Sequence, residues 1–551
     1  MKYTALFLSV LLSFTACQSE TKNTPEEEIE STVDGIRIAW DYSSMQQLAE
    51  RGGYPRLLRM QDNSLIAIFE TRTGSVEFRR SYDEGHTWSS SVTVFPRFTY
   101  QGKDGESTIV NIANAEITQL QNGDIIAACN YRPAKPEIAP YSIVIRRSTD
   151  NGATWLPAQV LYNAAPRFND GCWEPSFLQL PDGEVQIYFA NENPYQQSDE
   201  QEISLLRSAD NGATWSDAQM VSFRENRRDG MPVARILGDE IVVVIEDNNV
   251  DRFKPYTVRT KLKDNWVKPV LADSPHREYA LAEKIDNSVY MGAPYLLKLP
   301  TGETLISYQT NEKRASDWEY STLEVAIGDK SARNFTKRTR PFDVPLDKEA
   351  KWNSLALWDE NTVVAFASSN FNSKEVAPWL IKGYIIPELK IATKDITAYP
   401  LFVGAKGETN LRAGLGTDEE NLYVECKVND NKLYGLQNSD SDGVYVYLSD
   451  GMESMRVWCS YQGNTEVSEL KKGVWHTKMA SDVQAVSSTN DKGYDLKIII
   501  PKKYIKSGSG KDLRLALGLS AYSDAVNGYK EMLANSQENK PNTWLKVSLL
   551  N

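Results

Sequence analysis

Two glutamates could share one piece of acid–base chemistry: Glu174 in Cys172-Trp173-Glu174-Pro175, and Glu246 in Val243-Val244-Ile245-Glu246-Asp247. An ionised carboxylate can attack a carbon or take a proton, and a protonated partner can discharge a leaving oxygen, so a facing pair supplies both halves of a displacement. Such a pair, far apart in sequence, needs a scaffold that brings it together. From Glu174 a strand-like run reaches Leu180, Pro181-Asp182-Gly183 turns, and Glu184 to Glu192 runs back. The next unit repeats this with Met231 to Leu237, Gly238-Asp239, and Glu240 to Glu246. In an antiparallel hairpin the start of the first strand lies beside the end of the second, which predicts Glu174, Glu192, Arg228 and Glu246 at one edge.

The hairpin recurs through six units, whose first strands begin near Tyr54-Pro55-Arg56, Asn114-Ala115-Glu116, Trp173-Glu174-Pro175, Gly230-Met231-Pro232, Gly292-Ala293-Pro294 and Trp352-Asn353-Ser354. Three stretches match almost letter for letter: Ser81 to Trp88, Ser148 to Trp155 and Ser208 to Trp215. They resemble the Asp-box of sialidase-like β-propellers. Their physics is structural: the aspartate accepts turn N–H groups, the glycine supplies positive φ, and the tryptophan packs on the sheet. The fourth unit keeps only Lys263-Asp264-Asn265-Trp266, and the fifth and sixth are read as having lost the box. The expected fold is all-β: a six-bladed propeller over residues 35–388, closed by Ile36 to Trp40 as a strand of the last blade, followed by a β-sandwich over 389–551.

Strand starts and second-strand ends define the side chains expected at the mouth: Arg56, Glu70, Asn114, Asn130, Arg132, Trp173, Glu174, Asn191, Glu192, Arg228, Asp229, Glu246, Asp247, Tyr308, Asn311 and Glu312. Carboxylates, amides, a few arginines and aromatics around an axis suit hydrogen bonding to hydroxyls and acid–base attack on a glycosidic bond. A net charge of -13 argues against nucleic acid or an anionic membrane surface as the main partner. The three histidines, His86, His276 and His476, have no metal-ligand spacing, and no cofactor or metal is implied.

Tyr54-Pro55-Arg56, Gly171 to Pro175, Gln186 to Glu192, Arg228-Asp229-Gly230-Met231, Ile245-Glu246, Gly292-Ala293-Pro294 and Thr310-Asn311-Glu312 together resemble glycoside hydrolase family 93 over about residues 50–385. The resemblance implies an exo-acting, retaining hydrolase that releases arabinobiose from α-1,5-L-arabinan. It makes Glu174 the nucleophile and Glu246 the general acid/base, their carboxyls only about 5 Å apart. The substrate contacts expected from the mouth positions are Arg56, Asn114, Asn130, Arg132, Trp173, Asn191, Glu192, Arg228, Asp229, Tyr308 and Glu312. The chain departs from the family in carrying Asn130-Tyr131-Arg132 where an Arg-Asn-His run is expected, and in the insertion Thr99 to Val110. The rival readings are an exo-α-sialidase, which would need three converging arginines and a tyrosine–glutamate pair, and a surface glycan-binding protein without catalysis.

Lys2 followed by the apolar run Ala5 to Cys17 resembles a bacterial lipoprotein leader, residues 1–17, with lipidation at Cys17 and an acidic tether over 18–34. The expectation is a monomer held to the bacterial outer membrane, on its periplasmic or outer face, by the lipid alone. Asn421 to Val428, Gly443 to Leu448 and Leu496 to Pro501 resemble a family 9 carbohydrate-binding or DOMON-like sandwich, which either binds sugar or only stabilises. Cys129, Cys172, Cys426 and Cys459 are read as buried thiols, with a Cys426–Cys459 bridge left open.

Overall fold

The computed structural model describes residues 35–550 apart from 104, 405–407, 436–439, 479–481, 506–512 and 525. The leader, Cys17 and the tether lie outside the described residues. Short alternating apolar runs bounded by Gly-containing turns commit the chain to antiparallel strands, and helical turns among the described residues are three-residue 3-10 segments such as Phe168–Asp170 and Trp318–Tyr320.

Six sheets stand around an axis. Their innermost strands are Gly53–Arg59, Ser107–Gln119, Cys172–Gln179, Asp229–Leu237, Met291–Lys298 and Ala350–Asp359. Each touches the one before and the one after, and the last touches the first, so the sheets close into a propeller. The sixth sheet takes its outermost strand, Arg37–Gln47, from the other end of the chain, paired antiparallel with Ala377–Ile386. Second strands are sandwiched between neighbouring blades and are buried end to end, as in Val185–Asn191 and Thr304–Thr310, which is why they read as continuous apolar runs.

The repeated boxes sit on the turns that follow the third strands, at the end of the ring away from Glu174. Asp83, Asp150 and Asp210 each accept the backbone N–H four residues on, at 2.9, 2.8 and 2.8 Å, and also bond Thr87, Thr154 and Thr214 hydroxyls. These bonds hold the Asp83 and Asp150 carboxyls down to about 2. The fifth blade makes a similar turn in other letters: Asp329 accepts the N–H of Arg333 at 3.0 Å, and Phe335, six residues on, is buried. Its sequence hides this, because the bond uses the Arg333 backbone and asks nothing of the side chain.

The second blade carries an extra strand, Phe98–Gln101, paired with Ser107–Gln119, so the insertion builds a hairpin on the rim. After Ile386 two further sheets pack face to face over Leu411, Val424, Val446, Val457, Ile498 and Leu517. This sandwich meets the propeller at the foot of the sixth blade, where Ala39 and Ile386 join its core and Arg37 donates to the Ala534 carbonyl at 3.0 Å. Cys426 and Cys459 are both buried and free, as are Cys129 and Cys172, so no bridge forms.

Candidate active site

One local device repeats in all six blades. Pairing between the first and second strand slips at Gly53/Arg56, Ala113/Glu116, Trp173/Ser176, Gly230/Val233, Gly292/Tyr295 and Lys351/Ser354. In each slip one residue adopts left-handed backbone: Tyr54, Asn114, Glu174, Met231, Ala293 and Trp352, with φ of 52, 52, 57, 51, 50 and 54°. Such bulges re-aim a side chain and store local strain. Proline follows in four of the six, Pro55, Pro175, Pro232 and Pro294, where the fixed φ suits the bulge. Glu174 is therefore one member of a ring of six residues at the axis, of which Tyr54, Met231 and Ala293 pack together against Trp352.

Five of the six bulges are clasped by the preceding blade; at the sixth, Glu174, the level residue Asn130 instead donates to the Cys172 carbonyl at 2.6 Å. The second-strand residue level with the slip reaches to the next blade's bulge N–H: Glu70 Oε1 accepts Asn114 N at 2.5 Å, Glu246 Oε2 accepts Ala293 N at 2.7 Å, Gln309 Oε1 accepts Trp352 N at 2.8 Å, and Ser368 Oγ accepts Tyr54 N at 2.8 Å. The third blade has Ala190 at this level, and Glu174 itself takes the Met231 N–H, at 3.2 Å. Glu246 Oε1 lies 3.0 Å from where a Cβ on Gly230 would stand. The two candidate carboxylates thus meet over a single dipeptide, Gly230-Met231. A Cβ on Gly292 would collide with the Tyr290 hydroxyl and come within 2.6 Å of Glu246 Oε2, so a methyl there would displace the ends of both side chains.

The pair is electrostatically unequal. Burial, then the negative charge of Glu174, push the Glu246 carboxyl up to about 8, against the Ala293 N–H and Arg228. Burial also raises Glu174, but Arg132, the Met231 N–H and Arg228 oppose it. A shared proton therefore rests on Glu246. Arg132 is built into place: Nε donates to Asn130 Oδ1 at 2.7 Å, Nη2 donates to Asn114 Oδ1 at 2.5 Å, and the guanidinium lies 4.9 Å over the Trp173 ring. Behind Glu246, Arg277 bridges Asp229 and Asp247 at 2.8 and 2.7 Å, and Arg224 adds a bond of 2.9 Å to Asp247. This buried network ties together the strand ends that carry the Gly230 bulge and Glu246.

Of the other sequence-predicted residues, Asn114, Asn130, Arg132 and Trp173 gather on the Glu174 side. Glu192 and Arg228 form an ion pair at the rim, with Glu192 also accepting the Gly171 N–H at 3.2 Å. Six expectations need correction, the first being Asp247, which is fully buried under Arg277 and Arg224 instead of facing the mouth. Arg56 lies one layer below the mouth, buried, with Nε 3.3 Å from Glu116 Oε2, because regular alternation resumes after the bulge and turns it into the channel. Asp229 is fully buried, both oxygens held by Arg277 and one also by the Ser222 hydroxyl at 2.7 Å. Asn191 and Tyr308 are each one residue out of phase with the mouth: Asn191 donates to Ser204 and Tyr162, and Tyr308 to Glu324 at 3.0 Å. Glu312 turns to the outer strand of its blade, where it pairs with Arg338.

Sequence reasoning missed Tyr290, Gln309, Trp318 and Trp352 as site residues. Aligning the six repeats on their slips would have set Trp352 level with Glu174 and Gln309 level with Glu246. Beyond Trp173, Arg167 to Asp170 and Gln196 to Asp199 line an open cavity of about 560 Å³.

The profile of the BNR repeat-like domain matches residues 38–282. No curated protein matches by sequence. Among solved structures, the chain is similar to the family 93 α-L-arabinofuranosidase of Fusarium graminearum in complex with arabinobiose (15% identity, 63% of this chain and 97% of that one, TM-score 0.46). It is also similar to the α-L-arabinanase of Penicillium chrysogenum with arabinobiose (16%, 63% and 98%, TM-score 0.42) and to a sialidase of Streptococcus pneumoniae (11%, 62% and 69%, TM-score 0.43). The repeats and the closed ring of sheets define the class as an all-β propeller, within which the BNR repeat-like profile falls on residues 38–282.

Proposed function

We propose that the protein is a retaining glycoside hydrolase acting exo on a neutral α-L-arabinofuranosyl polymer and releasing arabinobiose. The observation that carries this is the unequal carboxylate pair over Gly230-Met231, one member faced by a clamped arginine and the other pushed up to about 8. In the first step Glu174 attacks the anomeric carbon as the bond to the leaving oxygen breaks, and Glu246 gives that oxygen its proton. Esterification removes the charge on Glu174, which is the second-largest cause of the high Glu246 pKa, so Glu246 becomes a stronger acid at the moment it must stay ionised. It then takes a proton from water, whose oxygen attacks the anomeric carbon and frees Glu174.

A neutral glycone follows from the fate of the arginines. Arg56 is paired with Glu116, Arg132 donates to two amides, and Arg228 is held by Glu192 and by Gln201 at 2.7 Å. The choice of arabinan rests on the ordered motifs shared with family 93. The sialidase reading has one observation in its favour, the Tyr290 hydroxyl beside Glu246, but lacks three arginines free to converge on a carboxylate. Product analysis on debranched arabinan, run beside an aryl sialoside, separates them: arabinobiose is expected, and turnover of the sialoside alone would overturn the proposal.

A further inference from the structure

On the Glu246 side of the pair stands an aromatic wall that the reaction as described leaves without a task. Tyr290 and Trp318 have ring centroids 5.6 Å apart, and Trp318 meets Trp352 edge-on at 6.3 Å. All three rings are half-buried. The wall is braced from behind: the Gln309 amide accepts the Trp352 backbone N–H at 2.8 Å and donates to the Tyr290 hydroxyl at 2.9 Å, while the Lys351 ammonium lies 4.7 Å over the outer ring, Trp318. Trp352 holds φ of 54°, a conformation costly for a bulky side chain and retained where the surroundings over-determine it. Elsewhere in the ring Trp40 donates its indole N–H to Thr339 at 3.0 Å and Trp266 to Tyr188 at 2.8 Å, whereas Trp155 and Trp379 bury theirs away from solvent without a partner among the described residues. The Trp318 and Trp352 indole N–H groups have no partner among the described residues, and neither is sealed from solvent.

We propose that Tyr290, Trp318 and Trp352 form the binding wall for the sugar unit on the leaving side of the scissile bond, a neutral sugar that lays a C–H face on the rings and offers hydroxyls to the two free indole N–H groups. The inference rests on the reading of Glu174 and Glu246 as the reacting pair. The acid must reach the oxygen that joins the attacked sugar to the departing one. Around the ring the order is Glu174, Glu246, Tyr290, Trp318, Trp352, so the departing unit falls on the wall. Aromatic faces and indole donors suit an uncharged ring better than an anionic one.

The test compares kcat/KM for a linear 1,5-arabino-oligosaccharide with that for the glycosyl fluoride of the same glycone, which leaves without a sugar. Trp318→Ala is expected to lower the oligosaccharide-to-fluoride ratio roughly tenfold through KM, and Trp318→Phe, which keeps a ring, to lower it less. Equal losses on both substrates, or no loss on either, would overturn the wall. Absence of turnover by the wild type would count against the hydrolase reading alone. The wall is then judged by titrating Glu246→Gln protein with arabinohexaose, xylohexaose and cellohexaose while following tryptophan fluorescence. A saturable change with at least one glycan that weakens in the added presence of Trp318→Ala supports it, and a response that ignores Trp318, or none with any glycan, refutes it.

Discussion

Replacing Glu246 by glutamine keeps a side-chain oxygen for the Ala293 N–H and removes the titrating group. In the unfolded chain this carboxyl ionises near 4.5, whereas burial and the charge of Glu174 hold it at about 8 in the folded protein. Between those values the unfolded chain has released a proton that the folded protein still binds, so stability falls as pH rises through the window and levels off above about 8. At pH 7 the full linkage is roughly 3 kcal/mol, and the carboxyl's opening onto the mouth brings it to about 2 kcal/mol. Glutamine carries no such penalty. Glu246→Gln is therefore expected to melt a few °C above the wild type at pH 8, with the difference shrinking toward zero near pH 4.5, while turnover of an oligosaccharide drops on the order of 10²- to 10⁴-fold. Calorimetric melts from pH 4.5 to 8.5 read this directly. A difference that is flat with pH, or a less stable variant at pH 8, would refute the reasoning that buries a proton on Glu246.

Glu174→Gln should lower kcat by several orders of magnitude on every substrate, the fluoride included, and a variant with near wild-type turnover of the fluoride would exclude it as the nucleophile. Arg132→Met removes the cation that most opposes the rise of the Glu174 carboxyl, so the acidic limb of kcat/KM should move to higher pH, with Arg132→Lys restoring part of the shift; an unmoved limb would show that the charge is set elsewhere. Gly292→Ala drives a methyl into the Tyr290 hydroxyl and toward Glu246 Oε2, and kcat should fall on the order of 100-fold with the fold retained, as circular dichroism would show. Asp210→Ala breaks the bonds to Thr214 in a turn far from the mouth, so the melting temperature should drop while kcat and KM stay within twofold of wild type.

Much of the fold was legible because its signals are local. The Asp-Gly and Asn-Gly turns, the apolar second strands and the box letters each act within a few residues, and the structure uses them as read. The fifth blade shows where letters mislead, since Asp329 makes a similar turn through backbone N–H groups that no particular side chain need mark. Within the site, errors clustered at hairpin ends. Asn191 and Tyr308 were read as mouth residues, yet the slip in each blade sets the phase, and the side chains level with it are Ala190 and Gln309. A shift of one residue exchanges the two faces of a strand.

By itself the sequence determined the repeat, the all-β class and the presence of two glutamates at comparable edges of adjacent hairpins, because these depend on period, turn chemistry and order along the chain. Only the tertiary structure decided that Glu174 stands in a left-handed bulge, that Glu246 doubles as a clasp on the next blade, and that Arg132 faces the pair while Arg56 is drawn below it. It also placed Trp352, from the far end of the ring, in one circle with Glu174. Closing the ring sets which side chains share the mouth, and the burial that follows, together with the field of neighbouring charges, fixes where the proton resides; neither quantity exists until blades distant in sequence are in contact.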